Sequence, residues 1–327
     1  MSTGAFVISL DFELFWGMRD KRTIEGYGEN IRGVREALPR MLDTFDAHGV
    51  RATFATVGLL FFERKEELLR SLPVLRQGYV KKELSPYNGH VDGIGADEAS
   101  DPYHFGASLI RTIQQHPAHE IACHTFSHYY CLEHGQTEAE FAADLVTAKA
   151  IASLFNIELK SFVFPRNQYN EAYLRVCNEH GITTYRGNER SWLYKARNKE
   201  DESQFRRALR LLDTWFDLSG HNCHPLPSPG SGTPIDLPSS RFLRPYNKRY
   251  AILDGLKLRR ITRAMDHAAR TGTLFHLWWH PHNFGSDLEQ NMAMLEKILM
   301  HYDRLHREHG FTSYTMGELV QRTSDHA

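Results

Sequence analysis

The chain has 327 residues, of which 41% are hydrophobic and 24% charged, the ordinary composition of a folded globular protein. Its 39 basic and 40 acidic side chains nearly balance, which argues against nucleic-acid binding on charge alone. No segment approaches ~18 uninterrupted apolar residues, and the first residues lack the basic region of a signal peptide, so no membrane span is expected. Four cysteines without a Cys-x-x-Cys spacing predict reduced thiols in a cytoplasmic protein.

Short apolar runs typical of strands alternate with amphipathic runs of helix length. Helix 137–155 has Thr137 at its N-cap and Glu140 at the capping-box position. Alternating strands and helices pair in parallel, so the pattern predicts a doubly wound sheet or a barrel in one domain spanning 1–327. Strands are predicted over 5–14, 50–60, 120–125, 160–165, 182–187 and 273–280, and helices over 31–49, 137–155, 170–181, 255–271 and 287–309.

Two regions interrupt this alternation, residues 72–118 and residues 188–250. Long irregular insertions in a compact domain are usually functional, so we expect both to form walls or lids over one end of the barrel. The second insertion contains a basic stretch, residues 241–250, that reads either as a solvated face or as a surface for an anionic substrate.

The first candidate site residues are two acids at the end of the first predicted strand. Asp11 and Glu13 are two residues apart, so they project to the same side of the strand, while Phe12 projects to the other. Two neighbouring carboxylates in an apolar strand are costly unless a cation or a chemical task occupies them. The carboxyl ends of strands are also where α/β folds place their active sites.

Histidines supply the remaining candidates. His124 and His128 lie four residues apart after the third predicted strand, and with Glu13 they form the two-histidine, one-carboxylate set of catalytic zinc sites. The stretch 274–285 contains His276, His280 and His282 on an aromatic-rich strand end. Three histidines there indicate at least one functional residue, without saying which.

Taken in order, these motifs resemble the polysaccharide deacetylase family with its NodB-homology domain. The family's Thr-Phe-Asp-Asp-Gly motif resembles residues 9–13, and its His-[Ser/Thr]-x-x-His motif is matched by residues 124–128. Its Arg-Pro-Pro-Tyr-Gly motif is similar to residues 160–170, and its Leu-x-x-His motif to residues 277–280. The resemblance covers residues 5–187 and 273–320 and implies a distorted (β/α) barrel of about seven strands.

The resemblance also implies roles for individual residues. Glu13, His124 and His128 would hold a divalent metal, expected to be Zn²⁺, while Asp11 would act as general base and His280 as general acid. The family's arginine before the prolines is replaced by Val163, so Arg166 is the candidate for steadying the catalytic carboxylate. Candidate substrate contacts are Tyr103, Pro165, Trp279 and His282, with Trp278 as a further aromatic and a backbone N–H near Pro165 for the oxyanion.

These features predict a metal-dependent hydrolase that removes an acetyl group from an N-acetylated sugar. A nucleotide- or lipid-diphosphate-linked precursor of a surface polysaccharide would suit the basic stretch. Two alternatives remain at this point: an allantoinase-like hydrolase of a ureide or cyclic imide, and a catalytically dead carbohydrate-binding homologue. The five intact residues, Asp11, Glu13, His124, His128 and His280, argue against the dead homologue.

Overall fold

Strands and helices alternate along most of the chain in the computed structural model, which describes residues 3–194, 204–228 and 234–325. The strands are β1 (Ala5–Phe12), β2 (Ala52–Thr56), β3 (Glu120–Cys123), β4 (Ser161–Phe162), β5 (Thr184–Gly187), β6 (Ile235–Pro238), β7 (Arg241–Phe242), β8 (Leu274–Trp279) and β9 (Thr312–Tyr314). The helices are α1 (Ile24–Arg32), α2 (Val34–Ala47), α3 (Lys65–Arg70), α4 (Ala107–Gln114), α5 (Glu138–Leu154), α6 (Glu171–Glu179), α7 (Gln204–Leu212), α8 (Asp254–Thr271), α9 (Leu288–His309) and α10 (Met316–Asp325).

The strands pair in parallel in the order β6–β5–β4–β3–β2–β1–β8–β7. Only Ser239 and Ser240 separate β6 from β7, and their backbone N–H groups donate to carbonyls of β5 and β8 respectively. Residues 235–242 therefore pair with β5 on one side and with β8 on the other, which joins the two ends of the sheet. The predicted (β/α) barrel is confirmed, and counting 235–242 as one strand gives seven positions around the ring.

Strand β1 runs through the centre of the molecule, and all of its residues are buried. Phe6, Ile8, Leu10 and Phe12 belong to the main core under the helices, whereas Val7 belongs to a smaller cluster with Leu274. This alternation places Ser9 and Asp11 on the same face as Val7, toward the barrel interior. Met316, Leu319 and Val320 of α10 pack in that smaller cluster. These apolar side chains line part of the interior near α10, and Asp11 lies toward the end where the strands stop.

Helix boundaries follow local signals closely. The predicted capping box at α5 is confirmed, because the Thr137 hydroxyl accepts from the N–H of Glu140 and the Glu140 carboxylate accepts from the N–H of Thr137. The predicted helix 31–49 is instead two helices that meet at Gly33. A Cβ atom at Gly33 would lie 2.0 Å from the carbonyl oxygen of Gly285, so close backbone approach requires glycine there. Among the described residues, no helix is long and apolar enough to cross a membrane.

The first insertion packs against the carboxyl ends of the strands. The indole of Trp16, just after β1, donates to the carbonyl of His104 at 2.7 Å. The Tyr79 hydroxyl accepts from the N–H of Tyr130, after β3, at 2.7 Å. Residues 72–106 therefore form a wall at the mouth of the barrel, where the sequence pattern placed them.

The second insertion differs from the prediction. It contains α7, β6 and β7, and only its first part follows the mouth. His224 pairs with Leu274 at the first residue of β8, which lies at the opposite end of the barrel. The chain must return to that end because β6 runs parallel to β5 and starts there. The described parts of this insertion, residues 188–194, 204–228 and 234–250, thus include two barrel strands and a return to the opposite end of the barrel, rather than a loop draped over the mouth; residues 195–203 and 229–233 lie outside the described residues.

Candidate active site

Glu13, His124 and His128 meet at the mouth of the barrel, as the sequence predicts. The Nε2 atom of His128 lies 2.8 Å from Oε2 of Glu13, and Nε2 of His124 lies 3.4 Å from the same oxygen. One ligand atom from each residue falls within 4.8 Å of the others, and all three side chains are buried. The trio comes from the residues that directly follow β1 and β3, which are separated in the sheet by β2 alone.

Hydrogen bonds to a residue of α5 hold the loop that carries both histidines. Asp144, a buried residue of that helix, accepts from the N–H of Phe126 at 2.6 Å and from the N–H of Ser127 at 3.2 Å. Thr125 and His128 have left-handed backbone angles, with φ of 62° and 57°. Because non-glycine residues rarely adopt this conformation, the bonds to Asp144 hold the loop in a shape it would not keep alone.

The hydrogen bonds of His124 fix which nitrogen faces Glu13. Its Nδ1 lies 2.7 Å from the carbonyl oxygen of Val163, and since a carbonyl only accepts, Nδ1 carries the proton. In the neutral ring Nε2 then presents a lone pair, and this nitrogen is buried without a hydrogen-bond partner. An unsatisfied imidazole nitrogen aimed at a carboxylate is the arrangement that a metal cation completes.

The charges of the trio also suit a cation. Burial lowers the pKa of His128 to about 3, against the opposing effect of Glu13, so this imidazole is neutral. Burial alone would raise the pKa of Glu13, but His280 is foremost among the groups that outweigh burial and hold the pKa well below its usual value. Two imidazoles and one carboxylate are the donor set of catalytic zinc sites, which leave a position for water.

Asp11 has a partner that the sequence analysis missed. Its two oxygens accept from both terminal nitrogens of Arg186, on β5, at 2.6 and 2.9 Å. The guanidinium also donates to Ser9 and Asn167 and lies 4.2 Å from the ring centroid of Trp278. Burial would raise the pKa of Asp11, but Arg186 outweighs it and the pKa lies below its ordinary value. Asp11 is therefore ionised and rigidly held.

Arg166 does not steady Asp11, and this prediction was wrong. Its guanidinium forms ion pairs with Asp20 and with Glu133, the latter at 3.0 Å, and lies 3.7 Å over the ring of Tyr130. Arg166 has φ of 57° in the short helical turn 165–167, and this left-handed backbone lies at the mouth of the barrel, after β4. Pro165, which opens the turn, is buried two residues after the carbonyl that His124 binds.

The three histidines of the last predicted motif have different surroundings. His276 is buried inside the barrel, where its ring nitrogens lie 2.8 Å from the Ser9 hydroxyl and 3.2 Å from the Leu237 carbonyl. His280 lies at the mouth, with Nε2 3.7 Å from Asp11 Oδ2 and 3.6 Å from Glu13 Oε1. His282 is buried and stacks on the ring of His280 at 4.9 Å, and burial lowers its pKa to about 3. Of the three, His280 alone faces both carboxylates.

The predicted aromatic contacts require correction. Trp279 is fully buried in the main core, stacked on Phe284, because it lies on the helix-facing side of β8. Its neighbour Trp278 is the aromatic that faces the interior, with ring centroids 5.8 Å from His280. Tyr103 lies on the wall of the mouth, but its ring packs against α1 and its hydroxyl accepts from Arg32 at 2.8 Å. The structure therefore does not bring Tyr103 or Trp279 to the two carboxylates.

A second trio of possible ligands, Asp46, His116 and His119, lies just before β2 and β3, at the opposite end of the barrel. Nδ1 of His119 accepts from the N–H of Ala52 at 3.1 Å, so in the neutral ring Nε2 carries the proton. Nε2 lies 3.4 Å from Asp46 and is the only nitrogen of His119 directed at this trio. A protonated nitrogen cannot bind a metal, so His119 has the opposite tautomer to His124 and does not suit a cation.

Comparison with known proteins agrees with this geometry. The model of the polysaccharide deacetylase family matches residues 26–185. The comparison with curated proteins found no match. The matched segment is just under half of the chain, and over these residues the chain is similar to the polysaccharide deacetylase family. The match ends one residue before Arg186 and begins after Asp11 and Glu13, so it does not by itself cover these three residues.

Solved structures share the fold at low sequence identity. A protein from Mycobacterium smegmatis named as a polysaccharide deacetylase superposes with a TM-score of 0.63 at 14% identity, covering 99% of this chain and 91% of that one. A polysaccharide deacetylase of Pseudomonas aeruginosa PAO1 gives 0.52 at 14% identity, with 94% and 92% coverage. The 4-alpha-glucanotransferase of Thermococcus litoralis gives 0.55 at 10% identity, covering 98% of this chain and 40% of that one. Since the same fold carries a glucanotransferase, activity must be argued from the site.

Proposed function

We propose that the protein is a metal-dependent hydrolase that removes the acetyl group from an N-acetylated sugar. The observation that carries this proposal is the division of labour between two adjacent carboxylates. Glu13 faces the imidazoles of His124 and His128, Asp11 is paired with Arg186, and His280 lies near both carboxylates. One carboxylate is thus placed to hold a cation while the other stays ionised and free to accept a proton.

The proposed mechanism assigns one task to each group. Glu13, His124 and His128 would hold Zn²⁺, which would act as a Lewis acid on the acetamide carbonyl. Asp11 takes the proton of the attacking water, since Arg186 holds its carboxylate ionised. His280 gives a proton from Nε2 to the leaving amine, and a backbone N–H of the turn 165–167 stabilises the oxyanion. Buried His282 stacks on His280 and keeps that ring in place.

The position of Arg244 supports the proposal that the sugar is linked to a phosphate-bearing carrier. It follows β7, and its guanidinium carbon lies 5.8 Å from the ring centroid of Phe242, which is itself 5.9 Å from the ring of His280. Burial lowers the pKa of Arg244, and nearby Arg210 lowers it further while Tyr194 opposes this. Arg241, in the same basic stretch, is instead buried against Asp213 at 3.1 Å. A half-buried arginine beside a second cation is a suitable contact for a diphosphate.

We further propose that the substrate is a cytoplasmic nucleotide- or lipid-diphosphate-linked sugar used for a surface polysaccharide. The four cysteines support a reducing compartment, since all of them are free in the structure. Three of the four are buried, and none is placed at the site.

The test compares metal content with turnover in two variants. Asp11→Asn should keep one metal per chain and lose activity by ~10²–10⁴-fold, because an amide cannot accept the proton. Glu13→Gln should lose metal, and excess Zn²⁺ should restore part of its activity. Metal is measured by elemental analysis and turnover by acetate release from a nucleotide-diphosphate N-acetylhexosamine.

His116→Ala is the matched control, because it removes an imidazole from the trio at the other end of the barrel. It should retain one metal per chain. A metal-free Asp11→Asn together with a loaded Glu13→Gln would show that the two roles are exchanged. Loss of metal in His116→Ala alone would place the cation at the wrong end of the barrel for this mechanism.

A further inference from the structure

The ring nitrogen that points away from Glu13 has a different hydrogen-bond partner in His128 than in His124. His124 donates through Nδ1 to a backbone carbonyl, whereas Nδ1 of His128 lies 3.2 Å from the hydroxyl oxygen of Tyr130. If Nε2 of His128 is to offer a lone pair toward Glu13, Nδ1 must carry the proton and donate it. The phenol oxygen of Tyr130 is then the acceptor, and its own hydrogen must point elsewhere.

Among the described residues, the acceptor recorded for that hydrogen is Asp20. The hydroxyl of Tyr130 lies 3.2 Å from Oδ1 of Asp20, a carboxylate on the segment after β1. The bonds therefore run in one direction, from His128 through Tyr130 to Asp20. Tyr130 is fully buried, so water does not compete for its hydroxyl.

Arg166 fixes the far end of this chain of bonds. Its guanidinium pairs with Asp20 and lies 3.7 Å over the ring of Tyr130, so one side chain holds both the acceptor and the phenol. Burial would raise the pKa of Asp20, but Arg166 outweighs it and the pKa lies below the usual value. Asp20 is therefore a fixed negative charge two hydrogen bonds away from the His128 ring.

We propose that Tyr130 is a positioning residue that transmits the charge of Asp20 to His128. The relay holds His128 in the tautomer with a free Nε2 and makes that nitrogen a stronger ligand. Outer contacts of this kind to a metal-bound histidine are typically worth about 10–100-fold in metal affinity. The inference rests on the proposed metal site and also gives Arg166 a place in it, through Asp20 and Tyr130 rather than through Asp11.

The test measures metal affinity in the full chain, independently of turnover. Tyr130→Phe removes the hydroxyl but keeps the ring under Arg166. It should weaken Zn²⁺ binding by about 10–100-fold in competition with a chromophoric chelator. It should also shift the visible absorption of the Co²⁺-substituted protein, which reports the ligand field. Asp20→Asn, which keeps an acceptor oxygen but removes the charge, should give a smaller loss.

Tyr129→Phe is the matched control. Tyr129 is the adjacent residue and is equally buried, but its hydroxyl bonds to Gln136 and to the Thr137 carbonyl, away from His128. It should leave both the Zn²⁺ affinity and the Co²⁺ spectrum unchanged, while thermal unfolding of the metal-free proteins reports any purely structural loss. Equal affinities for Tyr130→Phe and Tyr129→Phe would overturn the relay alone. Absence of metal binding in the unaltered chain would overturn the proposed site, and the relay with it.

Discussion

The ion pair between Arg186 and Asp11 leads to a quantitative prediction. Arg186→Met removes two charge-assisted bonds, at 2.6 and 2.9 Å, and leaves a buried carboxylate without a partner. Breaking a buried pair from one side costs about 3–5 kcal/mol of the free energy of unfolding. With an unfolding entropy of roughly 2 cal/mol/K per residue, a chain of this length should lose about 4–7 °C in melting temperature.

The loss should depend on pH in a defined direction. The pKa of Asp11 is lower in the folded protein than in the unfolded chain, where it is near 3.8. The pair therefore contributes its full stability above that value and loses it as the pH falls through the folded pKa. The difference between wild type and Arg186→Met should be largest near neutral pH and should shrink below about pH 4.

A double-mutant cycle isolates the pair. The free energies of unfolding of Arg186→Met, Asp11→Asn and the double variant should deviate from additivity by at least about 1–3 kcal/mol. Arg166→Met serves as the matched control, because its partners are Asp20 and Glu133, so its cycle with Asp11→Asn should be additive within about 0.5 kcal/mol. Additive behaviour in the Arg186 cycle, or a stability difference independent of pH, would refute the reasoning.

Two further predictions follow from side chains at the mouth and in the core. Arg244→Gln should raise KM about 10–100-fold for a diphosphate-linked sugar, because charged hydrogen bonds contribute about 1.5–3 kcal/mol, and should leave KM for an uncharged N-acetylated sugar unchanged. Steady-state kinetics on both substrates measure this, with the variant of an exposed arginine, Arg249→Gln, as control. An equal rise in KM for both substrates would contradict the prediction. Trp279→Ala should lower the free energy of unfolding by about 3–5 kcal/mol, while Trp278→Ala should mainly reduce acetate release. Thermal unfolding and activity assays measure the two effects. A larger loss of stability in Trp278→Ala, with a larger loss of activity in Trp279→Ala, would contradict the prediction.

Local patterns were sufficient for five of the ten α-helices in the described residues, namely α2, α5, α6, α8 and α9, and for the grouping of Glu13, His124 and His128. The capping box of α5 and the spacing of His124 and His128 are contained within a few residues, so no tertiary information was needed. The alternation of β8 also carried a signal that was not used. His276, Trp278 and His280 share one face by period two, which would have excluded Trp279 from the mouth.

The remaining errors concern contacts between distant parts of the chain. Arg186 and Asp11 are 175 residues apart, and no local pattern announces that an arginine inside a short strand will reach a carboxylate across the barrel. Strands β6 and β7 contain four and two residues, too few for a periodicity to be recognised. The Arg166 prediction failed for a related reason, because sequence position relative to a proline does not determine which carboxylate a long side chain reaches.

The order of strands in the barrel has a consequence for how the site is assembled during synthesis. The proposed metal ligands Glu13, His124 and His128 directly follow β1 and β3, both neighbours of β2, and all lie within the first 128 residues. The groups proposed to handle protons depend on β5 and β8, and the residues of β8 that pair with β1 lie some 270 residues later in the chain than β1. Pairing over such separations is slow relative to local folding. The nascent chain can thus bring Glu13, His124 and His128 together well before Arg186 and His280 are made, so the proposed proton-handling groups join the site last.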